Sequence, residues 1–456
     1  MSEKEVYTTT VQSIASGGTG GEPTAVDSKD GKIVRIRPLH IDEKYTHEEL
    51  ADSMWELEVD GKKFRPEYKA APNYMALAYK ERVYSKNRVM KPLKRVDWEP
   101  GGDPATMNAA NRGKSKFVEI SWDEALDIME SEIKRVIDQY GPYSVLCIGE
   151  DGHRESKDLH AGGGMHMTAM NLLGGYTRET RTPDSVEGWY WGAKHFWGSG
   201  FNRGGGLIAP PQNGYSNYNV VKDVSENADL LVFDAGDWEL TQNYASMFFS
   251  RLLKYWEELG KEFVSVDPFC NYTAVCHKTF KWIPILPNTD AALDFGAMYV
   301  MITEGIYDKE YIDTHSIGFD KVADYVLGKE DGIPKTPEWA SERCGIPPHT
   351  IKAYARNLCK KRASHVHYSS GSIKTPYSHE PGRTQAYLLA MQGMGKPGVQ
   401  QLHLEATLVA KEKLAESSTR PFSLLNHCRM FYPSAQSLPR TAIAEAIRNG
   451  HVEWYG

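Results

Sequence analysis

The sequence predicts an α/β protein, with Rossmann-like domains built on mostly parallel sheets and a small β-rich domain at the N-terminus. Two observations carry this prediction. From Ser121 onwards, short apolar runs alternate with helical segments, a pattern typical of parallel sheets with crossover helices. Asp30-Gly31 and Asp60-Gly61 each stand between extended-type runs, which favours β-hairpins in the first part of the chain.

The first 65 or so residues are therefore predicted to be β structure. The run 32–37 follows the turn at Asp30-Gly31, and the run 55–59 precedes the turn at Asp60-Gly61. A glycine-rich stretch, residues 17–21, comes before both hairpins. Its composition predicts a flexible loop, and a disordered linker is the plainest interpretation.

A well-signalled helix begins after Ser121, because Ser121-Trp122-Asp123-Glu124 forms a capping box. The apolar residues that follow fall on one helical face as far as Tyr140, and Gly141-Pro142 ends the helix. A buried strand is predicted at 145–148. Further strands and helices then alternate: strand 230–233 with helix 247–259, strands 263–266 and 282–286 with helix 291–304, and strand 365–368 with helix 383–394.

Composition excludes several classes of function. The chain has 456 residues, 41% hydrophobic and 25% charged, with a net charge of -7. This balance offers no basic surface for nucleic acid or an anionic membrane, and no apolar run approaches the ~20 residues of a membrane span. The N-terminus has no export signal, and the six cysteines contain no CxxC pair. We expect a reduced, cytoplasmic protein with no iron–sulfur cluster in this chain.

One stretch predicts a nucleotide-binding site. Asp267 follows the predicted strand 263–266, at the strand end where open α/β sheets place their ligands. Thr289 and Asp290 stand at the start of the next long helix, where either side chain can cap the helix and backbone N–H groups are free. By contrast, the GxGxxG pattern at 393–398 follows a helix and fails the test for a dinucleotide fingerprint.

A second candidate region carries residues suited to catalysis. The loop 149–154 follows the predicted strand 145–148 and contains four ionisable residues, including His153. Further on, Asp184-Ser185 precedes a stretch of glycines and aromatic residues that ends at Phe201. Asp184-Ser185 is equally consistent with a helix N-cap pair. The aromatic side chains can belong to a core or form the walls of a pocket for a flat ring.

Together these pieces resemble the molybdopterin guanine dinucleotide oxidoreductases of the dimethyl sulfoxide reductase family. The matching segments keep the family's order and cover most of the chain: 30–36, Arg88 with 92–95, 120–125, Asp267-Pro268, 289–293 and 393–398. Within the family the chain looks most like the large subunits of pyrogallol–phloroglucinol transhydroxylase and resorcinol hydroxylase. That likeness rests on residues 10–21, which replace the cluster cysteines of most relatives, and on 183–189, Trp191-Gly192, 307–311 and 325–329.

The resemblance implies a bis(molybdopterin guanine dinucleotide) molybdenum cofactor. It implies that Ser185 binds the metal and that His153 and Asp184 act as acid and base beside it. A one-residue gap in the spacing leaves Asp151 and Arg154 as alternatives to His153. The residues that the resemblance implies for cofactor binding are Asp237, Asp267, Thr289, Asp290 and Lys396, with Asp267 and Asp290 at the guanosine portions.

The implied function is hydroxyl transfer or hydroxylation on a polyhydroxylated, phenolic aromatic. Catechol dehydroxylation, a hydratase reaction and a non-catalytic truncated scaffold stay open as alternatives. The implied domains are 1–65, then 66–185 with 399–456, and 186–398. The family's further C-terminal domain is expected to be missing here, so the chain is either a fragment or one of two polypeptides. A separate iron–sulfur subunit is the expected electron-transfer partner.

Overall fold

The computed structural model describes residues 7–11, 24–51, 56–65, 67–70, 79–148, 165–180, 192–193, 216–239, 248–366, 372, 375–402 and 436–453. Among these residues the strands form one five-stranded sheet, two three-stranded sheets and two two-stranded ladders. None of the helices in the described ranges is long and apolar enough to cross a membrane.

The described part of the N-terminal region is mostly β structure, as the sequence predicts. Strands β1 (Tyr7–Val11), β2 (Thr24–Lys29) and β3 (Lys32–Pro38) form an antiparallel sheet, and β4 (Leu57–Val59) pairs with β5 (Lys62–Phe64). Both predicted hairpins are confirmed. In each two-residue turn the Asp has φ 51° and the Gly has φ 72°, the positive values that a type I′ hairpin requires.

The helices of the described residues carry labels in chain order. They are α1 (His47–Ala51), α2 (Tyr79–Val83), α3 (Pro104–Met107), α4 (Trp122–Tyr140), α5 (Met165–Leu172), α6 (Ser216–Asn227), α7 (Phe248–Glu258), α8 (Tyr272–Cys276), α9 (Asp290–Glu304), α10 (Lys309–His315), α11 (Phe319–Val326), α12 (Pro337–Cys344), α13 (Pro348–Lys360), α14 (His379–Met391) and α15 (Ile443–Asn449). The predicted cap of α4 is confirmed, because Ser121 Oγ accepts a hydrogen bond from the Glu124 N–H at 3.0 Å.

The five-stranded sheet is the centre of the fold. It contains β10 (Leu230–Asp234), β11 (Glu262–Val266), β12 (Phe280–Ile283), β13 (Ala363–Val366) and β14 (Gln401–Leu402) in the spatial order β12-β11-β10-β13-β14. Every neighbouring pair is parallel. The predicted alternation of strands and crossover helices is therefore confirmed.

Helices cover both faces of this sheet. Alternate residues of β10 point to opposite faces, as the twofold period of a strand requires. Leu230 and Val232 pack in the core that includes residues of α9, α12, α13 and α14, whereas Leu231 and Phe233 pack in the core formed with α6 and α7. Burial on both faces explains why all five residues of β10 are buried and nearly all are apolar.

Two element ends differ from the sequence predictions for reasons that the local sequence explains. Strand β12 ends at Ile283 because Pro284 has no N–H to donate to the ladder. Helix α14 ends at Met391, shortly before Gly393, which has φ 80°. Strand β14 pairs with β13, and the predicted domain boundaries stay predictions.

A second, smaller parallel sheet is built from strands that precede and follow the strands of the main sheet in sequence. Its strands are β8 (Leu146–Cys147), β9 (Thr177–Thr180) and β15 (Gln436–Pro439), in the order β15-β9-β8. It joins segments on either side of the main sheet in sequence. The Arg440 guanidinium Nε lies 2.6 Å from Glu179 Oε1, which ties the two segments together. Strands β6 (Leu93–Arg95) and β7 (Phe117–Glu119) form a separate antiparallel pair.

Candidate cofactor-binding site

The order of strands in the main sheet reverses between β10 and β13. From β10 the chain moves outward through β11 and β12, and it then returns to build β13 and β14 on the other side. In an open parallel sheet the crevice at such a switch point, beyond the carboxyl ends of the strands, is the usual ligand site. Asp234 ends β10 and His365 lies in β13, with 3.5 Å between Asp234 Oδ2 and His365 Nδ1.

Asp267 lies directly after β11 at this edge. Its Oδ1 accepts a hydrogen bond from the Phe269 N–H at 2.8 Å, and its Oδ2 accepts one from Asn271 Nδ2 at 2.9 Å. Its backbone carbonyl accepts a bond from Trp282 Nε1 at 2.7 Å. Burial raises the pKa of the Asp267 carboxyl, and these two donors only partly oppose the rise.

Asp237 lies three residues after β10 and faces the same region. Its Oδ1 accepts hydrogen bonds from both the N–H and the Oγ1 of Thr273, at 3.0 and 2.8 Å. Thr273 Oγ1 in turn accepts a bond from the Glu239 N–H at 3.0 Å. Asp237 and Asp267 are therefore held by neighbouring residues of one short segment, Asn271 and Thr273.

Asp290 begins α9 and completes the group of acidic side chains. It is buried, with 8% of its surface exposed. Burial raises the pKa of its carboxyl from the usual 3.8 to about 7, and the negative charges of Asp234 and Asp267 add to the shift. Thr289 occupies the N-cap position of α9, but its side chain is not the cap, because its Oγ1 donates to the Leu286 carbonyl at 2.6 Å instead of accepting a bond from the helix.

Three groups at this edge were not predicted from the sequence: Asp234, Asp294 and His365. Asp294 is one helical turn after Asp290, is 4% exposed and accepts a hydrogen bond from Thr384 Oγ1 at 2.6 Å. Burial and the charge of Asp234 raise the pKa of Asp294 well above its usual value. The i, i+4 spacing from Asp290 was a usable signal for Asp294. The position of Asp234 at the end of an apolar run was a usable signal for Asp234 itself. His365 lies inside a buried strand and carries no such signal.

The structure does not bring Lys396 to this crevice. The turn 393–398 connects α14 to β14, so it lies at the edge where the strands begin. Gly398 there packs against the backbone of Asn227, just before β10, and an added Cβ would lie 2.6 Å from the Asn227 carbonyl carbon. Lys396 forms an ion pair with Asp308. A cofactor contact by Lys396 stays a prediction.

The predicted catalytic residues His153 and Asp184 lie outside the described residues, as do the predicted metal ligand Ser185 and the alternatives Asp151 and Arg154. Within the described parts of the chain, no group of three or more His, Cys, Asp or Glu side chains is arranged to hold a metal ion.

The crevice residues fit a guanosine. Ionised carboxylates only accept hydrogen bonds, and guanine presents N–H donors at N1 and N2. Asp267 and Asp290 both have raised pKa values because burial removes water from them, so a ligand that donates hydrogen bonds would favour their ionised forms. The same negative charges disfavour a phosphate in contact with these carboxylates. The residues thus suit the base and ribose of a nucleotide more than its phosphates.

Comparisons with known proteins show the family of the chain. A family model described as molybdopterin oxidoreductase matches residues 88–430, and one described as pyrogallol hydroxytransferase large subunit-like, domain 1, matches residues 22–82. The pyrogallol hydroxytransferase large subunit of Pelobacter acidigallici is 32% identical over 97% of this chain and 52% of its own length. A trimethylamine-N-oxide reductase of Haemophilus influenzae is 29% identical over 64% of this chain and 34% of its length.

Among solved structures, acetylene hydratase from Pelobacter acetylenicus aligns with 75% of this chain and 41% of its own, with a TM-score of 0.44 and 21% sequence identity. The chain spans about half the length, or less, of the relatives it matches.

Proposed function

The chain belongs to the molybdopterin oxidoreductase family, and from this premise we propose that it forms part of a catalytic large subunit acting on polyhydroxylated aromatics by hydroxyl transfer or hydroxylation. The family has the dimethyl sulfoxide reductase-like fold and uses a molybdenum–molybdopterin cofactor. The observation that carries the substrate class is the 32% identity to pyrogallol hydroxytransferase over nearly the whole chain. The trimethylamine-N-oxide reductase relatives favour a reductive reaction, such as dehydroxylation of a catechol, as the alternative.

The proposed cofactor form is bis(molybdopterin guanine dinucleotide) molybdenum. Asp267 and Asp290 would hold its guanosine portions, with Asp237 and Thr289 beside them. The support is physical: buried acceptors at a switch point match the N–H donors of guanine. Asp290 accepts the two guanine N–H groups only when it is ionised, so a guanosine bound there keeps the proton off this carboxylate.

For the metal end, we propose Ser185 as the protein ligand to molybdenum and His153 and Asp184 as the groups that move protons. When bound, the metal and its pterins supply the redox chemistry. His153 and Asp184 would accept and return a phenolic proton, for which their pKa values must lie near the working pH. These three assignments rest on the family resemblance of their sequence segments.

The proposed partners follow from the same family. The relative from Pelobacter acidigallici is named a large subunit, and the chain would work with a separate iron–sulfur subunit and with polypeptide equivalent to the remaining half of that relative. The proposed location of this assembly is the cytoplasm, and its substrate is a small phenol.

Metal analysis of the complex, purified with its partner subunits, tests the proposal. We expect molybdenum, or tungsten in its place, together with two pterins per large subunit. Ser185→Ala should lose the metal or its activity, and Asp184→Asn should lose turnover. Ser131→Ala is the matched control, because Ser131 is exposed on α4 and bonds only its own helix. Absence of both metals, or full activity in Ser185→Ala, refutes the assignment. Product analysis in labelled water separates hydroxyl transfer from hydration and dehydroxylation.

A further inference from the structure

The short helix α8 links the two aspartates at the near side of the crevice. Asn271 caps this helix, since its Oδ1 accepts the Ala274 N–H at 2.9 Å, while its Nδ2 donates to Asp267. Thr273, in the first turn, donates twice to Asp237. A shift of α8 would therefore move the partners of both carboxylates at once.

His277 anchors the other end of α8. It is the C-cap residue, and its side chain is 4% exposed. Its Nε2 lies 2.8 Å from Glu239 Oε1 and its Nδ1 lies 3.2 Å from Glu257 Oε2. Ionised carboxylates have no proton to donate, so both ring nitrogens donate only when the imidazole carries both protons. His277 then joins three elements: the segment after β10, α7 and α8.

The surroundings of His277 are apolar rings and a few charges. The Phe263 ring packs edge-on against it and the Phe280 ring lies beside it. A third charged side chain, Lys254, lies beside the two glutamates, with its Nζ 3.1 Å from Glu257 Oε2. Ser250 Oγ donates to Glu239 Oε2 at 2.6 Å. A neutral imidazole has one N–H, so a neutral His277 could donate to only one of the two glutamates.

Glu257 is consistent with this arrangement. Burial alone would raise the pKa of its carboxyl, yet the Lys278 N–H, the Lys254 ammonium and the His277 ring together hold the pKa at about 2. The carboxylate thus stays ionised and available as an acceptor for the histidine over the whole range in which an imidazole titrates.

We propose that His277 is a positioning residue which, through its contacts with Glu239 and Glu257, fixes α8 and through it the orientations of Asp237 and Asp267. Loss of one of the two carboxylate contacts loosens the helix. The expected consequence for ligand binding, weaker binding of guanosine in variants that lack these contacts, rests on the proposed function of the crevice. The consequence for α8 itself does not.

Hydrogen exchange of the full chain tests the positioning role directly. At one fixed pH, amides 271–278 of His277→Gln should show about tenfold less protection than those of the unmodified chain, the effect of one charged hydrogen bond. The loss is expected because the glutamine amide cannot donate to both sides. His349→Gln is the control: His349 is an exposed histidine on α13, and its replacement should leave the profile of α8 unchanged.

Equal protection in His277→Gln and the unmodified chain overturns the proposal. If His277→Gln does not fold, Glu239→Gln, which removes the charge facing His277 Nε2, takes its place, and unchanged protection of amides 271–278 in it overturns the proposal. Guanosine titration, by calorimetry or saturation-transfer NMR, separates this inference from the function of the crevice. If guanosine binds but His277→Gln does not change its affinity, the positioning role fails and the crevice assignment stands. If α8 loosens as expected but guanosine binds at no pH, the crevice assignment fails and the positioning role stands.

Discussion

Replacement of Asp290 by Asn is expected to stabilise the protein at alkaline pH while it weakens nucleotide binding. The pKa of this buried carboxyl is about 7 in the folded chain, against 3.8 for the ordinary group. That difference of about three units corresponds to about 4 kcal/mol. Because the pKa is raised on folding, the unfolded chain releases the proton first. Stability is therefore lost as pH rises from about 4 through about 7, and it stays reduced above that.

The asparagine side chain has the same shape but no charge to bury. We expect Asp290→Asn and the unmodified chain to unfold at similar temperatures near pH 4 and to diverge as pH rises, until the variant unfolds several degrees higher at about pH 8. Scanning fluorimetry across this pH range measures the divergence. Asp127→Asn, at an exposed position of α4, is the control for the loss of one carboxylate.

A constant difference between Asp290→Asn and the unmodified chain at every pH would refute this reasoning, because a shape effect does not titrate. So would a variant that is less stable than the unmodified chain above pH 7. Guanosine affinity should move in the opposite direction to stability, since the asparagine amide offers one acceptor where the carboxylate offers two.

Three further predictions concern the supporting structure. Gly192→Ala should destabilise the fold by about 1–3 kcal/mol, measured by urea unfolding, because its Cβ would lie 2.0 Å from the His379 carbonyl oxygen; unchanged stability would contradict this close contact. Lys396→Met breaks the ion pair with Asp308 at an exposed site and should leave the cofactor content of the purified complex unchanged, whereas loss of cofactor would support the predicted contact. Glu257→Gln should lower the unfolding temperature at pH 7, and the difference from the unmodified chain should vanish as pH falls through about 2. The depressed pKa of Glu257 gives its full stability above the ordinary value of 4.5, and this stability is lost as pH falls from there through about 2.

The parts of the site that follow from local sequence were predictable. Asp267 follows a short apolar run, and Asp290 opens a long helix, so the rule that strand ends face the ligand was enough to pair them. The role of the Thr289 side chain was not predictable because a threonine hydroxyl can either accept from the helix or donate backwards, and only the local backbone decides between them. His365 and Lys396 depend on which strands are neighbours and which edge a turn occupies. That information lies in the strand order of the sheet and in no single segment.

The crevice is energetically unfavourable for the protein by itself, and this is an argument for its function. Asp234, Asp290 and Asp294 are all buried at one edge of the sheet, and their mutual repulsion and desolvation raise the pKa values of Asp290 and Asp294. A core evolved for stability alone would place apolar residues there. Repulsion is relieved by protons or by a ligand rich in N–H groups, and a guanine supplies such groups without adding negative charge. A phosphate would add to the repulsion. Under the proposed function, the acidic edge would therefore hold the base end of a nucleotide and direct its phosphates away from the strand ends.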